Sequence, residues 1–134
     1  MAFLTFEPRH QLGHPEIDAQ HASLFDAVNR LAEAVDSGVG RLALGKQLAQ
    51  VREEAVQHFR LEEDLMERAA YPGLPGHKHL HDELMKQASE LEAQHKLGLL
   101  TLSASVMNFL KDWLAHHISV EDRRLAEFLS ARGA

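Results

Sequence analysis

Apolar residues recur through most of the chain at alternating steps of three and four, the spacing of an α-helix that buries one face. Leu24, Phe25, Val28, Leu31 and Val35 form one such stripe, and Leu44, Leu48, Val51, Ala55 and Leu65 a second. Leu84, Ala88 and Leu91 carry a third, and Val106, Leu110 and Trp113 a fourth. β-Branched residues are few and no Asn-Gly or Asp-Gly turn separates alternating runs, so strands are not expected. Proline and glycine punctuate the stripes. Pro15 suits a first helical position and predicts a helix to Ser37, ahead of Gly38-Val39-Gly40. A second helix is predicted from about Leu42 to Ala69, stopped by Tyr71-Pro72-Gly73. The third is predicted to begin after Pro75-Gly76 and to reach about Lys96, with Gly98 in a turn. The fourth covers roughly Leu100 to Ser119, with a shorter helical piece to about Leu129. Four helices with short connections predict an all-α, antiparallel up-down-up-down four-helix bundle over 15–130, preceded by a non-helical N-terminal arm over 1–14. The whole of 1–134 reads as one domain, without internal repeats.

Composition narrows the function classes. With 134 residues, 45% of them apolar and 25% charged, the chain matches a folded globular protein and not a disordered or collagen-like one. No apolar run is long enough to span a bilayer, so no membrane insertion is expected, and the lack of a secretory signal predicts a cytoplasmic protein. The net charge is -6 and the Lys and Arg residues are scattered, which argues against a nucleic-acid partner. There is no cysteine, hence no disulfide, no thiolate nucleophile and no iron–sulfur cluster. Any metal must be held by histidine and carboxylate. Ten histidines against one tyrosine and one tryptophan make that prospect concrete.

The positions of the histidines matter more than their number. His58 and Glu62 extend the second stripe, His77 and His81 lead the third, His21 precedes Leu24 on the first and His117 follows Trp113 on the fourth. Each helix therefore directs at least one histidine toward the core. A buried ionisable group is costly unless it is paired, and a shared metal centre accounts for all of these at once. The four-residue steps His58 to Glu62 and His77 to His81 let two side chains of one helix reach one ion or an adjacent pair. Imidazole with carboxylate and no sulfur suits iron, zinc or manganese.

These residues also carry a family resemblance. The segments Ile17-Asp18-Ala19-Gln20-His21, His58-Phe59-x-x-Glu62-Glu63-x-x-Met66, Tyr71-Pro72 ahead of His77-x-x-x-His81, and Trp113-Leu114-x-x-His117-Ile118-x-x-x-Asp122 occur in the order and spacing of the bacterial hemerythrins, which the chain resembles over nearly all its length. The resemblance implies two iron ions per chain joined by an oxo or hydroxo bridge. It implies that His77, His81 and His117 ligate one iron, that His21 and His58 ligate the other, and that Glu62 and Asp122 bridge them. The family usually has tryptophan where Phe6 stands, a departure that touches the packing of the arm. Asp122 lies five residues after His117, about 140° away around a straight helix, so a kink or helix break is expected between Ile118 and Asp122. Glu121, at a four-residue step, is the alternative bridge for an unbroken helix.

If each iron is six-coordinate, the three-imidazole iron is full and the two-imidazole iron keeps one open position. In the family that position takes O2, which implies reversible O2 binding for storage, transport or delivery, with an O2-consuming enzyme as a candidate recipient. Leu24, Phe25, Trp113, Leu114 and Ile118 are expected to wall the O2 pocket as well as to pack the core. Asp18, one turn before His21, is expected to orient that imidazole or else to serve as a first-turn acidic residue. Glu63 and Glu121 are assigned to solvated faces, His79 and His116 to the surface, and His10 and His14 to the arm; His95 has no assigned role. Three other functions compete with O2 carriage: a di-iron oxidase, peroxidase or nitric-oxide-handling enzyme, an O2 or iron sensor, and a phosphotransfer module using an exposed histidine such as His116. A histidine-rich donor set argues for reversible binding and no enzymatic activity, and five core histidines argue against phosphotransfer.

Overall fold

A computed structural model describes residues 5–38, 40–98 and 104–132. Helix α1 spans Pro15–Asp36, α2 Arg41–Arg68, α3 Leu74–Lys96 and α4 Ala104–His116. A widened turn over His117–Asp122 leads without a break into α5, Arg123–Ala131, so that α4, the turn and α5 together form the fourth helix of the bundle. No strand occurs among the described residues, and the expected four-helix bundle is the observed architecture. No helix there is long and apolar enough to cross a membrane.

Local chemistry explains the helix ends. His14 caps α1, its Nδ1 accepting the Ile17 N–H at 3.4 Å, and Pro15 occupies the first helical position. Helix α2 ends with Tyr71 N–H donating back to the Met66 carbonyl at 2.9 Å, which places Ala70 in the left-handed region at φ 53°. Helix α3 starts at Leu74 instead of after Pro75-Gly76, because a proline in the first turn gives up only an N–H that has no helical partner. The arm is not wholly irregular. Pro8–His10 make a single tight 3-10 turn, closed by the His10 N–H donating to the Glu7 carbonyl at 2.9 Å and capped by the Glu7 N–H donating to His10 Nδ1 at 2.9 Å. The predicted start of the fourth helix at Leu100 lies outside the described residues, as do the surroundings of the Val106 side chain.

Two apolar clusters divide the core. The larger gathers Leu24, Val28 and Leu31 of α1, Leu48, Ala55 and Phe59 of α2, and Leu114 and Ile118 of the fourth helix. The smaller gathers Ile17, Met66, Leu125 and Leu129. Along α1 the residue between the clusters is His21, along α2 it is Glu62, and along the fourth helix it is Asp122. A polar layer thus crosses the bundle with apolar packing above and below it.

Candidate metal centre

The polar layer brings together side chains from all four helices. Asp122 sits at its middle with both oxygens engaged. Its Oδ2 lies 2.7 Å from His21 Nε2 and 3.1 Å from His58 Nε2, while its Oδ1 lies 3.1 Å from both His77 Nε2 and His117 Nε2. Glu62 Oε1 is 3.0 Å from His58 Nε2, 3.3 Å from His81 Nε2, and 3.8 Å from both His77 and His117. The imidazoles also crowd one another, with Nε2 atoms 3.0 Å apart for His21 and His58 and 3.3 Å apart for His81 and His117. All seven residues are buried.

The widened turn is what makes Asp122 part of this layer. Hydrogen bonding from i to i+5 inserts one extra residue into the turn, so residues five apart return to the same face. His117 and Asp122 then point inward together, where a straight α-helix would have separated them. The expected distortion is a π turn that runs on into α5 without a break. Glu121, the alternative, belongs to neither donor group and pairs with Arg124 at 3.7 Å.

The residues present fit a metal. Glu62, completely buried, finds no hydrogen bond for either oxygen despite its imidazole neighbours, and an acceptor in that state is costly. Seven lone-pair donors converge where there are too few protons to satisfy them. Without a cation the layer redistributes charge. Burial, reinforced by Asp122, pushes the Glu62 carboxyl well above the usual carboxylate range. Burial would raise Asp122 as well, but the His117 charge and the hydrogen bonds from His117, His21 and His58 hold it well below. His117 resists burial and rises to about 9 because the Asp122 charge and hydrogen bond favour its imidazolium. Burial and the neighbouring His117 and His77 bring His81 down to about 2, and burial lowers His21.

Two donor groups share the carboxylates. Glu62, His77, His81, His117 and Asp122 have ligand atoms all within 4.8 Å of one another, and so do His21, His58, Glu62 and Asp122. Their outer nitrogens differ. His81 Nδ1–H donates to Glu63 Oε2 at 3.0 Å and His58 Nδ1–H donates to Gln20 Oε1 at 3.1 Å, whereas His21 Nδ1 and His77 Nδ1 are buried with no partner. Glu63 is therefore not simply on a solvated face, as expected; it stands one residue beyond Glu62 and reaches across to α3. Gln20 carried no role in the sequence, since nothing in helical spacing shows that an α1 amide meets an α2 imidazole.

Of the two roles expected for Asp18, the structure matches the second, an acidic residue in the first turn of α1. Its carboxylate accepts the backbone N–H groups of Leu12 at 2.8 Å and Gly13 at 3.2 Å, so it fastens the arm to α1 and leaves the His21 ring alone. The expected pocket residues divide. Leu24, Phe25, Leu114 and Ile118 are buried in the larger apolar cluster, while Trp113 is half-buried and stacks on His117 at 5.7 Å with the rings 7° apart. Phe25 turns its ring toward the arm, against Phe6 at 5.4 Å and His10 at 4.9 Å. His79 and His116 are exposed, and the buried His95 donates from Nε2 to the Arg41 carbonyl at 2.9 Å.

A bundle crossed by a buried histidine–carboxylate layer defines a class of metal-binding helical protein, and comparison with known proteins places it. The family model of the hemerythrin HHE cation-binding domain matches residues 12–129, and the chain belongs to the hemerythrin family. It is 33% identical over 114 residues to a bacteriohemerythrin of Methylococcus capsulatus, covering 85% of this chain and 86% of that one. A bacteriohemerythrin of Stenotrophomonas maltophilia is 31% identical over 131 residues, covering 98% and 84%. The crystal structure of a wild-type hemerythrin superposes with a TM-score of 0.90 at 30% identity, covering 96% of this chain and 99% of that one.

Proposed function

We propose that this protein binds O2 reversibly at a pair of iron ions, for storage, transport or delivery, and that it is not an enzyme. The observation that carries the proposal is the unequal division of donors around two shared carboxylates. His77, His81 and His117 would hold one iron, His21 and His58 the other, and Glu62 and Asp122 would bridge them; the two oxygens of Asp122 already face the two sets of imidazoles. With a common oxo or hydroxo bridge, the three-imidazole side reaches six donors and the two-imidazole side five. Bound iron supplies the electrons and the vacant position that O2 requires.

The chain's own residues favour binding over turnover. Leu24, Leu114 and Ile118 present only hydrocarbon, and water excluded from such a pocket cannot deliver protons. Besides the seven candidate ligands, the buried polar side chains among the described residues are His10 and His95, and neither belongs to a donor group. Delivery to an O2-consuming enzyme suits a protein of this kind.

The test is an optical spectrum of the reduced, iron-loaded protein before air, after air and after O2 is removed again. A new visible band that appears with O2 and disappears on its removal is the expected result. Continuous O2 consumption in the presence of a reductant would replace the carrier with an oxidase, and one zinc per chain with no iron uptake would remove the proposal.

A further inference from the structure

Glu63 and Gln20 occupy equivalent places on opposite sides of the metal centre, yet they differ in charge. Each accepts the Nδ1–H of one imidazole whose Nε2 faces the shared carboxylates, Glu63 from His81 at 3.0 Å and Gln20 from His58 at 3.1 Å. An acceptor at Nδ1 fixes the ring in the tautomer that offers its Nε2 lone pair, and it raises the donor strength of that lone pair. A carboxylate does this more strongly than an amide, because a hydrogen bond to an ionised acceptor is roughly twice as strong as a neutral one. Lys78 approaches Glu63 Oε1 at 3.6 Å and would offset part of its charge, but the lysine is 53% exposed and water screens such a pair. The closer contact with buried His81 dominates.

We infer that Glu63 and Gln20 are positioning residues that set the two metal sites at different strengths, the His77/His81/His117 site being the tighter and the His21/His58 site the looser. The inference rests on the two-metal arrangement proposed above and extends it to residues that ligate nothing. An extra imidazole and an anionic outer partner lie on the same side, so the two effects add. On the other side the neutral Gln20 leaves His58 the weaker donor beside the position meant to exchange its ligand, and an unpartnered Nδ1 on each side, His21 and His77, cancels from the comparison.

The experiment is a cobalt(II) titration of the metal-free full chain against a competing chelator, followed by absorption, for the parent, Glu63→Gln, Glu63→Asp and Gln20→Glu. Two cobalt ions with separate affinities are expected in the parent. Glu63→Gln should weaken the tighter site about ten- to a hundredfold and leave the looser one in place, in line with the loss of an outer hydrogen-bond partner. Glu63→Asp should recover part of that loss, and Gln20→Glu should tighten the looser site. In the iron-loaded protein Glu63→Gln should also raise the reduction potential, which a purely structural role would not move. Helicity of each metal-free variant checks that the fold persists. Two equal sites in the parent, or a Glu63→Gln variant unchanged in affinity and potential, would overturn the inference while the two-metal arrangement stands; uptake of a single cobalt would overturn both.

Discussion

The two halves of the metal layer share Glu62 and Asp122 but are built differently around them. On one side three imidazoles from α3 and the fourth helix converge, two of them supported by aromatic faces, with Phe59 stacked on His81 at 4.0 Å and Trp113 on His117 at 5.7 Å. On the other side only His21 and His58 approach, crossing at 64° with no flat ring against them. One half thus has three donors, two of them backed by stacked rings, and the other has two donors without that backing. The difference shows that a site made of common parts can be given two roles by the number of donors and by what holds each donor in place.

Taking metal out of both halves should have the largest effect. The metal-free protein keeps seven polar side chains in a dry layer between two apolar clusters, and its melting temperature should fall by more than about 10 °C, read by circular dichroism. Equal melting of the two forms would mean that hydrogen bonds inside the layer already balance its desolvation.

The halves should then separate under mutation. His58→Ala removes one of only two imidazoles on its side and should reduce iron from two per chain to about one, with loss of O2 binding. His77→Ala leaves two imidazoles on the fuller side and should retain more iron than His58→Ala does. Iron analysis of both variants checks this, and the reverse order would invert the comparison.

A smaller effect is expected at the apolar wall. Leu114→Ala opens space beside the layer without removing a donor, so the oxygenated form should decay several-fold faster in air-saturated buffer while iron content stays constant. Decay at the parent's rate would make Leu114 ordinary packing.

The smallest concerns pH in the metal-free protein. His117 has a folded pKa of about 9 against 6.5 unfolded, so the stability it contributes is complete below pH 6.5 and is lost as pH rises through 9. Glu62, also raised, acts in the same direction from above 4.5. His81 acts oppositely: at about 2 in the folded state, it costs stability in acid and recovers it as pH rises to 6.5. Melting temperature should therefore decline between pH 6.5 and 9, and this decline should vanish when metal occupies the site. A decline that persists in the metal-loaded protein would place its origin elsewhere.

What could be read from the amino-acid order was whatever depends on helical period. The four stripes, the proline and glycine stops, and the inward placement of His21, His58, Glu62, His77, His81 and His117 follow from residues three and four apart sharing a face, a rule local to each helix. Asp122 was legible only by resemblance, because its five-residue step needs a widened turn that spacing alone cannot distinguish from a break. Contacts between helices were not legible. Asp18, expected either to orient His21 or to serve as a first-turn acidic residue, takes the first-turn role and fastens Leu12 and Gly13 of the arm, Glu63 was expected in water and instead holds His81, and Gln20 had no assignment until α1 met α2. Periodicity determines which way a side chain faces, but its partner on another helix depends on axial offset and rotation, and those are decided only when the apolar clusters pack.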